Sequence, residues 1–273
     1  MPTLTSPTKS LPKSRLNRLH IVLTNDDGVE APGLHALAEA LSIIARVTVV
    51  APDRERSTSG RALTMHKPLR VYRQPSWPSS RSVWKTNGTP ADCVKLALRV
   101  ILKKDTVDLV VAGINRGANL GSDVLYSGTA AAAFEAAMLD VPAIAVSLAN
   151  PQEKNNFRSA ARFAARFVSK YFSLNIPPDT IVNINVPDLP AKSIRGVKWS
   201  KLGVRKYTDI VDERRDPKGH IYYWLSGEPR DGAPRDTETD VAAVARGYIS
   251  LTPVGVTLTD FESLERMRST WTD

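Results

Sequence analysis

Two adjacent carboxylates, Asp26 and Asp27, lie in the run Thr24-Asn25-Asp26-Asp27-Gly28. Neighbouring carboxylates repel one another, so a buried pair needs a cation or a cluster of donors to neutralise it. The chemistry open to such a pair is the holding of a hard divalent cation. Asp-Gly is also an ordinary turn signal, which by itself accounts for most dipeptides of this kind. Other oxygen donors follow: Ser57 in the hydroxyl-rich loop Arg54-Glu55-Arg56-Ser57-Thr58-Ser59-Gly60, and Asn115 in Gly113-Ile114-Asn115-Arg116-Gly117. None is a soft ligand, and oxygen-only coordination selects Mg²⁺, Mn²⁺ or Ca²⁺ over zinc or copper. Each alone has a plain explanation, Ser57 as a loop hydroxyl and Asn115 as a turn former. The complementary half is Gly113 to Gly121 with Ser127-Gly128-Thr129. Glycines let backbone N–H groups approach an anion, and a phosphate at a helix N-terminus would be held by amides, hydroxyls and the helix dipole. A capped helix without a ligand explains that loop as well.

The elements that must position these groups can be read from apolar patterning. His20-Ile21-Val22-Leu23 reads as a buried strand, and Leu34, Leu37, Ala38 and Leu41 repeat at helical spacing after it. The carboxylates therefore fall between a first strand and a helix, the crevice where open α/β sheets bind ligands. Arg46 to Val50 is a second strand; residues 61–86 read as irregular strands broken by Pro75 and Pro78. Thr89, Pro90 and Asp92 make a good helix start, and apolar spacing carries that helix to Lys103-Lys104. Asp108 to Ala112 is a strand delivering the Asn115 loop, and an alanine-rich helix covers Ala130 to Met138. A strand at Ala143 to Ser147, a helix at 153–171 and a strand at Thr180 to Val186 complete the pattern. Strand and helix alternating in this way imply an α/β, Rossmann-like, doubly wound and mostly parallel sheet covered on both faces. Beyond about residue 190, Trp199, Tyr207, Tyr222, Tyr223 and Trp224 among many charges suggest an extended hairpin arm, followed by a late strand and a terminal helix. The expected organisation is a disordered basic tail over 1–19, a catalytic core over 20–190 and a C-terminal extension over 191–273 used in oligomerisation.

The chain has 273 residues, 42% of them hydrophobic and 24% charged, as in a soluble globular protein. No apolar stretch is long enough to span a membrane. The single cysteine, Cys93, excludes an internal disulfide and fits a reducing compartment such as the cytoplasm. The formal net charge of +9 owes part of its excess to Lys9, Lys13, Arg15 and Arg18, which lie among Ser, Thr and Pro. That segment lacks the apolar region of a secretory signal; it reads as a disordered tail, with an organelle transit peptide as the lesser alternative. No zinc pattern or aromatic-rich RNA-binding signature accompanies the positive charge, and attraction of an anionic substrate explains it equally. Cys93 and Arg99 have the spacing of a cysteine phosphatase, but the stretch between them lacks glycine and cannot form an amide cradle. A haloacid-dehalogenase-like nucleophile would need Asp where Asn25 stands, and there is no P-loop or strand-linked dinucleotide motif.

Five runs taken together carry a family resemblance: Asn25-Asp26-Asp27-Gly28, Ala51 to Ser57, Asn87-Gly88-Thr89-Pro90-Ala91-Asp92, Gly113 to Gly117 and Tyr126-Ser127-Gly128-Thr129. Their order over residues 20–260 resembles the SurE family of stationary-phase survival proteins, which are 5'-nucleotidases. The resemblance implies a metal-dependent phosphomonoesterase acting on nucleoside 5'-monophosphates, with Asp26, Asp27, Ser57 and Asn115 on one divalent cation, Mg²⁺ or Mn²⁺. It implies phosphate binding by Asn119, Ser127, Gly128 and Thr129, catalysis by Asp26 and Asp27, and a homodimer or homotetramer that exchanges C-terminal segments. Two other classes stay open: a nucleoside hydrolase with Ca²⁺ at a first strand tip, and a non-catalytic nucleotide-binding module on the same fold. The first would need further acids and has no use for a phosphate loop.

Overall fold

The computed structural model describes residues 19–149, 156–208, 210–227, 229 and 236–271, so the basic tail expected over 1–19 lies almost wholly outside the described residues. The first strand, β1 (His20–Thr24), is fully buried and lies between β2 (Arg46–Pro52) and β5 (Leu109–Arg116), both parallel to it. On the far side of β2 come β4 (Ser82–Thr86), parallel, and β3 (Val71–Gln74), antiparallel at the edge. Beyond β5 the sheet continues with parallel β6 (Ala143–Ala149) and β7 (Thr180–Pro187). Two strands from the last third of the chain finish it: β11 (Ile249–Gly255), antiparallel to β7, and β8 (Val197–Trp199), parallel to β11. The nine strands run in the order β3-β4-β2-β1-β5-β6-β7-β11-β8.

Helices cover both faces, as near-continuous apolar strands require. Helices α1 (Pro32–Ser42) and α4 (Phe157–Tyr171) bury Leu34, Leu37, Leu41, Phe163 and Phe167 on one face, against Ile21, Leu23 and Val111. On the other, α2 (Pro90–Leu96) and α3 (Gly128–Met138) pack against Val22, Val50, Val110 and Ala112. Small alanines along α3 let it sit close on the sheet; Ala130 to Ala133 are all buried. The start of α2 follows from its sequence: Thr89 and Asp92 form a reciprocal capping box, with Pro90 at the first turn. That helix is not α-helical through to Lys103, as spacing alone suggests, but widens into a π-turn over Ala97–Ile101.

Strand β5 is longer than the apolar run predicts, because Asn115 and Arg116 are themselves paired to β6. Its register shifts between Ala112 and Asn115, the mark of a bulge carrying one extra residue. The bulge changes which face a side chain meets. Leu109 and Val111 belong to the α1/α4 side, Val110 and Ala112 to the α2/α3 side, and Ile114 returns to the α1/α4 side out of alternation. Gly113 makes this possible: its φ is +133°, and a Cβ there would lie 2.3 Å from the Val146 carbonyl oxygen.

The segment beyond residue 190 contributes more to the main sheet than an arm would. Trp199, grouped by composition with the arm, instead pairs in β8 and rests against Phe167 at 6.4 Å between ring centroids. Helix α5 (Asp240–Ala245) returns to the site edge, where Asp240 accepts from the Gly121 N–H at 2.7 Å and the Gly203 N–H at 2.8 Å. The arm itself is the antiparallel ribbon β9 (Ile210–Arg215) and β10 (Ile221–Ser226), with every residue of β10 exposed. Helix α6 (Phe261–Thr270) has no buried residue. No helix among the described residues is long and apolar enough to cross a membrane.

Candidate active site

The carboxyl ends of β1 and β5, the loop after β2 and the N-terminus of α3 meet around a cavity of about 1050 Å³. Asp26, Asp27, Ser57, Asn115, Asn119 and Ser127 all line it, so six of the eight residues singled out from the sequence come together there. Gly128 and Thr129 stand just behind. A Cβ on Gly128 would lie 2.9 Å from Asp26 Oδ2, so only glycine lets the start of α3 approach that carboxylate so closely. Thr129 is fully buried, and its hydroxyl donates to Asp26 Oδ1; its link to the cavity therefore runs through Asp26.

The loop that follows β1 is fixed by local bonds. Asn25 Nδ2 donates to the Gly28 carbonyl at 2.9 Å, and the Arg56 N–H donates to the Asp26 carbonyl at 2.7 Å, stitching the Ser57 loop to the carboxylates. Asp27 Oδ2 accepts from the Arg116 N–H at 3.3 Å. Asn115 Nδ2 donates to the Gly117 carbonyl at 2.9 Å, which leaves its Oδ1 for a ligand. Ser57 is exposed and donates to Glu55 Oε1 at 2.5 Å, so its oxygen lone pairs remain available. Ser127 caps α3, accepting from the Ala130 N–H at 3.0 Å, and still has its own proton to donate.

Electrostatics agree with the donor chemistry. Asp26 is 5% exposed, and burial pushes its carboxyl above the usual range against the opposing bond from Thr129. Asp27 is pushed up to about 6, first by burial and then by the charge of Asp26 beside it. Among the described residues neither carboxylate has an ion-pair partner, Arg116 opposing the rise at Asp27 without cancelling it, and a divalent cation would supply the missing positive charge. Among the described residues no group of three or more His, Cys, Asp or Glu could hold a metal. Two carboxylates with the neutral oxygens of Asn115 and Ser57 fit a hard cation that also takes water or phosphate oxygens, and do not suit zinc.

Sequence reasoning passed over several residues of the cavity. Glu55, Arg116 and Tyr126 lie in the runs that carry the family resemblance but have no role from their type or spacing, and Asp123, Phe157, Tyr207 and Leu225 also line the wall. Asp123 Oδ2 accepts from Arg205 Nη1 and from Tyr207 Oη, each at 2.7 Å, which ties the root of the arm to the turn before Ser127. Nothing in local spacing connects residue 123 with 205 and 207; only the return of the chain does.

The fold is a doubly wound α/β sheet whose strand tips gather oxygen donors beside a helix N-terminus. This chain belongs to the SurE family: residues 21–209 match the family described as Survival protein SurE. A 5'-nucleotidase SurE from Alkaliphilus metalliredigens is 45% identical over 92% of this chain and 98% of its own length. A 5'-nucleotidase SurE from Geobacter sulfurreducens is 47% identical over 92% of this chain and 93% of its own. The crystal structure of the SurE protein from Aquifex aeolicus superposes with a TM-score of 0.79 at 39% identity, covering 92% of this chain and 99% of that one.

Proposed function

We propose that this protein is a metal-dependent 5'-nucleotidase that hydrolyses nucleoside 5'-monophosphates to nucleoside and inorganic phosphate. The observation that carries the reading is the meeting of Asp26, Asp27 and Asn115 with the N-terminus of α3 in one cavity. The relatives named 5'-nucleotidase SurE, similar over nearly their whole length, support it. We assign Asp26, Asp27, Ser57 and Asn115 to one divalent cation, Mg²⁺ or Mn²⁺, and Asn119, Ser127 and the Gly128 amide to the phosphate, with the hydroxyl and N–H of Thr129 both serving Asp26.

When bound, the cation supplies positive charge at the phosphoryl oxygens, where negative charge accumulates during transfer. The protein's own part is orientation and proton handling. The Gly128 amide at the start of an eleven-residue helix and the Ser127 hydroxyl hold non-transferring oxygens in line. Asp27, half-buried and with Oδ1 clear of its bond to Arg116, is the carboxylate we assign to take a proton from the attacking water. Thr129 holds Asp26 in a single orientation. The chain is further proposed to act in the cytoplasm as a homodimer or homotetramer, with the segment from 191 onward forming the contacts.

The test is phosphate release from a panel of nucleoside 5'-monophosphates, with and without chelator. Release that stops on chelation and returns with Mn²⁺ or Mg²⁺ is the expected result. Release of free base would mark a nucleoside hydrolase instead, and no product at all a binding module.

A further inference from the structure

Four hydrogen bonds converge on Asn119 from strands that are otherwise apolar. Asn185 Oδ1 accepts from the Asn119 main-chain N–H at 2.9 Å, and Asn185 Nδ2 donates to the Asn119 carbonyl at 3.0 Å. Asn183 Nδ2 donates to the same carbonyl at 2.7 Å. The side-chain amide of Asn119 donates from Nδ2 to Ser147 Oγ at 2.8 Å. Ser147, Asn183 and Asn185 are each 0% exposed. Their strand neighbours Val146, Leu148, Ile184 and Val186 face the α1/α4 core, so these three polar side chains share the other face, the side of α3.

Parallel strands covered on both sides are expected to be apolar, and burying polar side chains costs free energy unless they are bonded. Asn183 Oδ1 has no partner among the described residues, an added cost. Satisfying the main chain of Asn119 requires only Asn185, which meets both its N–H and its carbonyl. Ser147 does something different: it engages the side chain, and Asn119 lines the cavity. With one N–H on Ser147, the amide plane is set, and its second N–H and Oδ1 remain for the cavity. Released from that bond, the amide could flip and present its carbonyl oxygen to an anion.

We propose that Ser147, supported by Asn183 and Asn185, is a positioning residue for phosphate recognition, presetting the Asn119 amide so that its second N–H donates to a phosphoryl oxygen. This rests on the assignment of Asn119 to the phosphate site. Ser147 touches no substrate; it acts by removing the rotational freedom that binding would otherwise have to freeze.

The test uses the full chain with saturating Mn²⁺ and three variants: Ser147→Ala, Asn119→Ala and the double substitution. Calorimetry gives the dissociation constant of inorganic phosphate, kinetics give KM and kcat for a nucleoside 5'-monophosphate, and a Mn²⁺ titration gives the metal needed for half activity. Ser147→Ala should weaken phosphate binding about three- to tenfold, the loss of one neutral hydrogen bond, and raise KM in step. The Mn²⁺ requirement should stay unchanged, and in the Asn119→Ala background Ser147→Ala should add nothing. Unchanged phosphate affinity in Ser147→Ala, or losses that add in the double variant, would overturn the proposal while leaving Asn119 in the site. Wild-type phosphate affinity in Asn119→Ala would overturn both the phosphate assignment and the proposal.

Discussion

Asp27 takes its character from its neighbours more than from its own type. With its carboxyl pushed up to about 6 by burial and by Asp26, it is largely ionised at pH 7 and largely protonated at pH 5. A cation must displace that proton, so metal affinity should fall as pH drops through 6. The Mn²⁺ concentration for half activity should rise about tenfold per pH unit below that point for each carboxylate that must ionise. Titrations at pH 7.5, 5.5 and 4.5 check the slope; a flat response would mean that neither carboxylate binds the metal. Thr129 offers a second check, because its hydroxyl serves Asp26. Thr129→Val keeps the shape and removes a bond to a charged group worth about 1.5–3 kcal/mol. The metal requirement should therefore rise about tenfold or more, with a smaller change in KM measured at saturating Mn²⁺.

Among the elements, β5 and β1 carry the most consequence. The bulge in β5 exists because Gly113 takes φ +133° against the Val146 carbonyl. Gly113→Ala forces strain at that φ and a steric overlap, which together should cost about 2–4 kcal/mol and withdraw Asn115 from the cavity. Thermal unfolding and the Mn²⁺ requirement should both shift; an unchanged midpoint would show that the strand absorbs the methyl. At the start of β1, His20 is fully buried beside Thr48, its Nε2 2.9 Å from Oγ1. Burial first, and then Arg46, lowers its pKa below 6.5. The unfolded chain therefore takes up a proton near pH 6.5 that the folded chain refuses. The resulting stability is present above pH 6.5 and is lost as pH falls through the lower, folded value. Urea unfolding at pH 7.5 and 5.5 should show this loss, and a His20→Gln variant should show less of it.

At the scale of the whole molecule, the ribbon β9–β10 stands apart. Ile210, Val211, Tyr223, Trp224 and Leu225 are 50–82% exposed, an apolar surface of the kind that marks an interface. Ser226 pairs directly with Ile210, so the ribbon can be replaced by a short Gly-Ser link without stretching the chain. The shortened protein should keep the nine-stranded sheet and form a smaller assembly by light scattering than the full chain. An assembly of unaltered size would exclude the ribbon from the contacts. Because Leu225 and Ser226 also line the cavity, the same deletion should open the site and raise KM.

By itself the sequence determined what local physics can encode. Periodicity and caps located the strands and helices of the doubly wound core, since burial on one face or two imposes the spacing of apolar residues. Residue types singled out Asp26, Asp27, Ser57 and Asn115, which the fold brings to one cavity. Tertiary structure decided the rest. The bulge at Gly113, which breaks the alternation just before Asn115, depends on the β6 backbone against which that glycine rests. Trp199 looked like part of an arm because an exposed edge strand and an arm share a composition; pairing with β11 put it in the sheet. Thr129 turned to Asp26 because residues 103 positions apart met inside the core. The Ser147–Asn183–Asn185 cluster left no signal in local patterning, since a buried polar residue is read as a break in a strand until its partner, here Asn119, arrives from another loop.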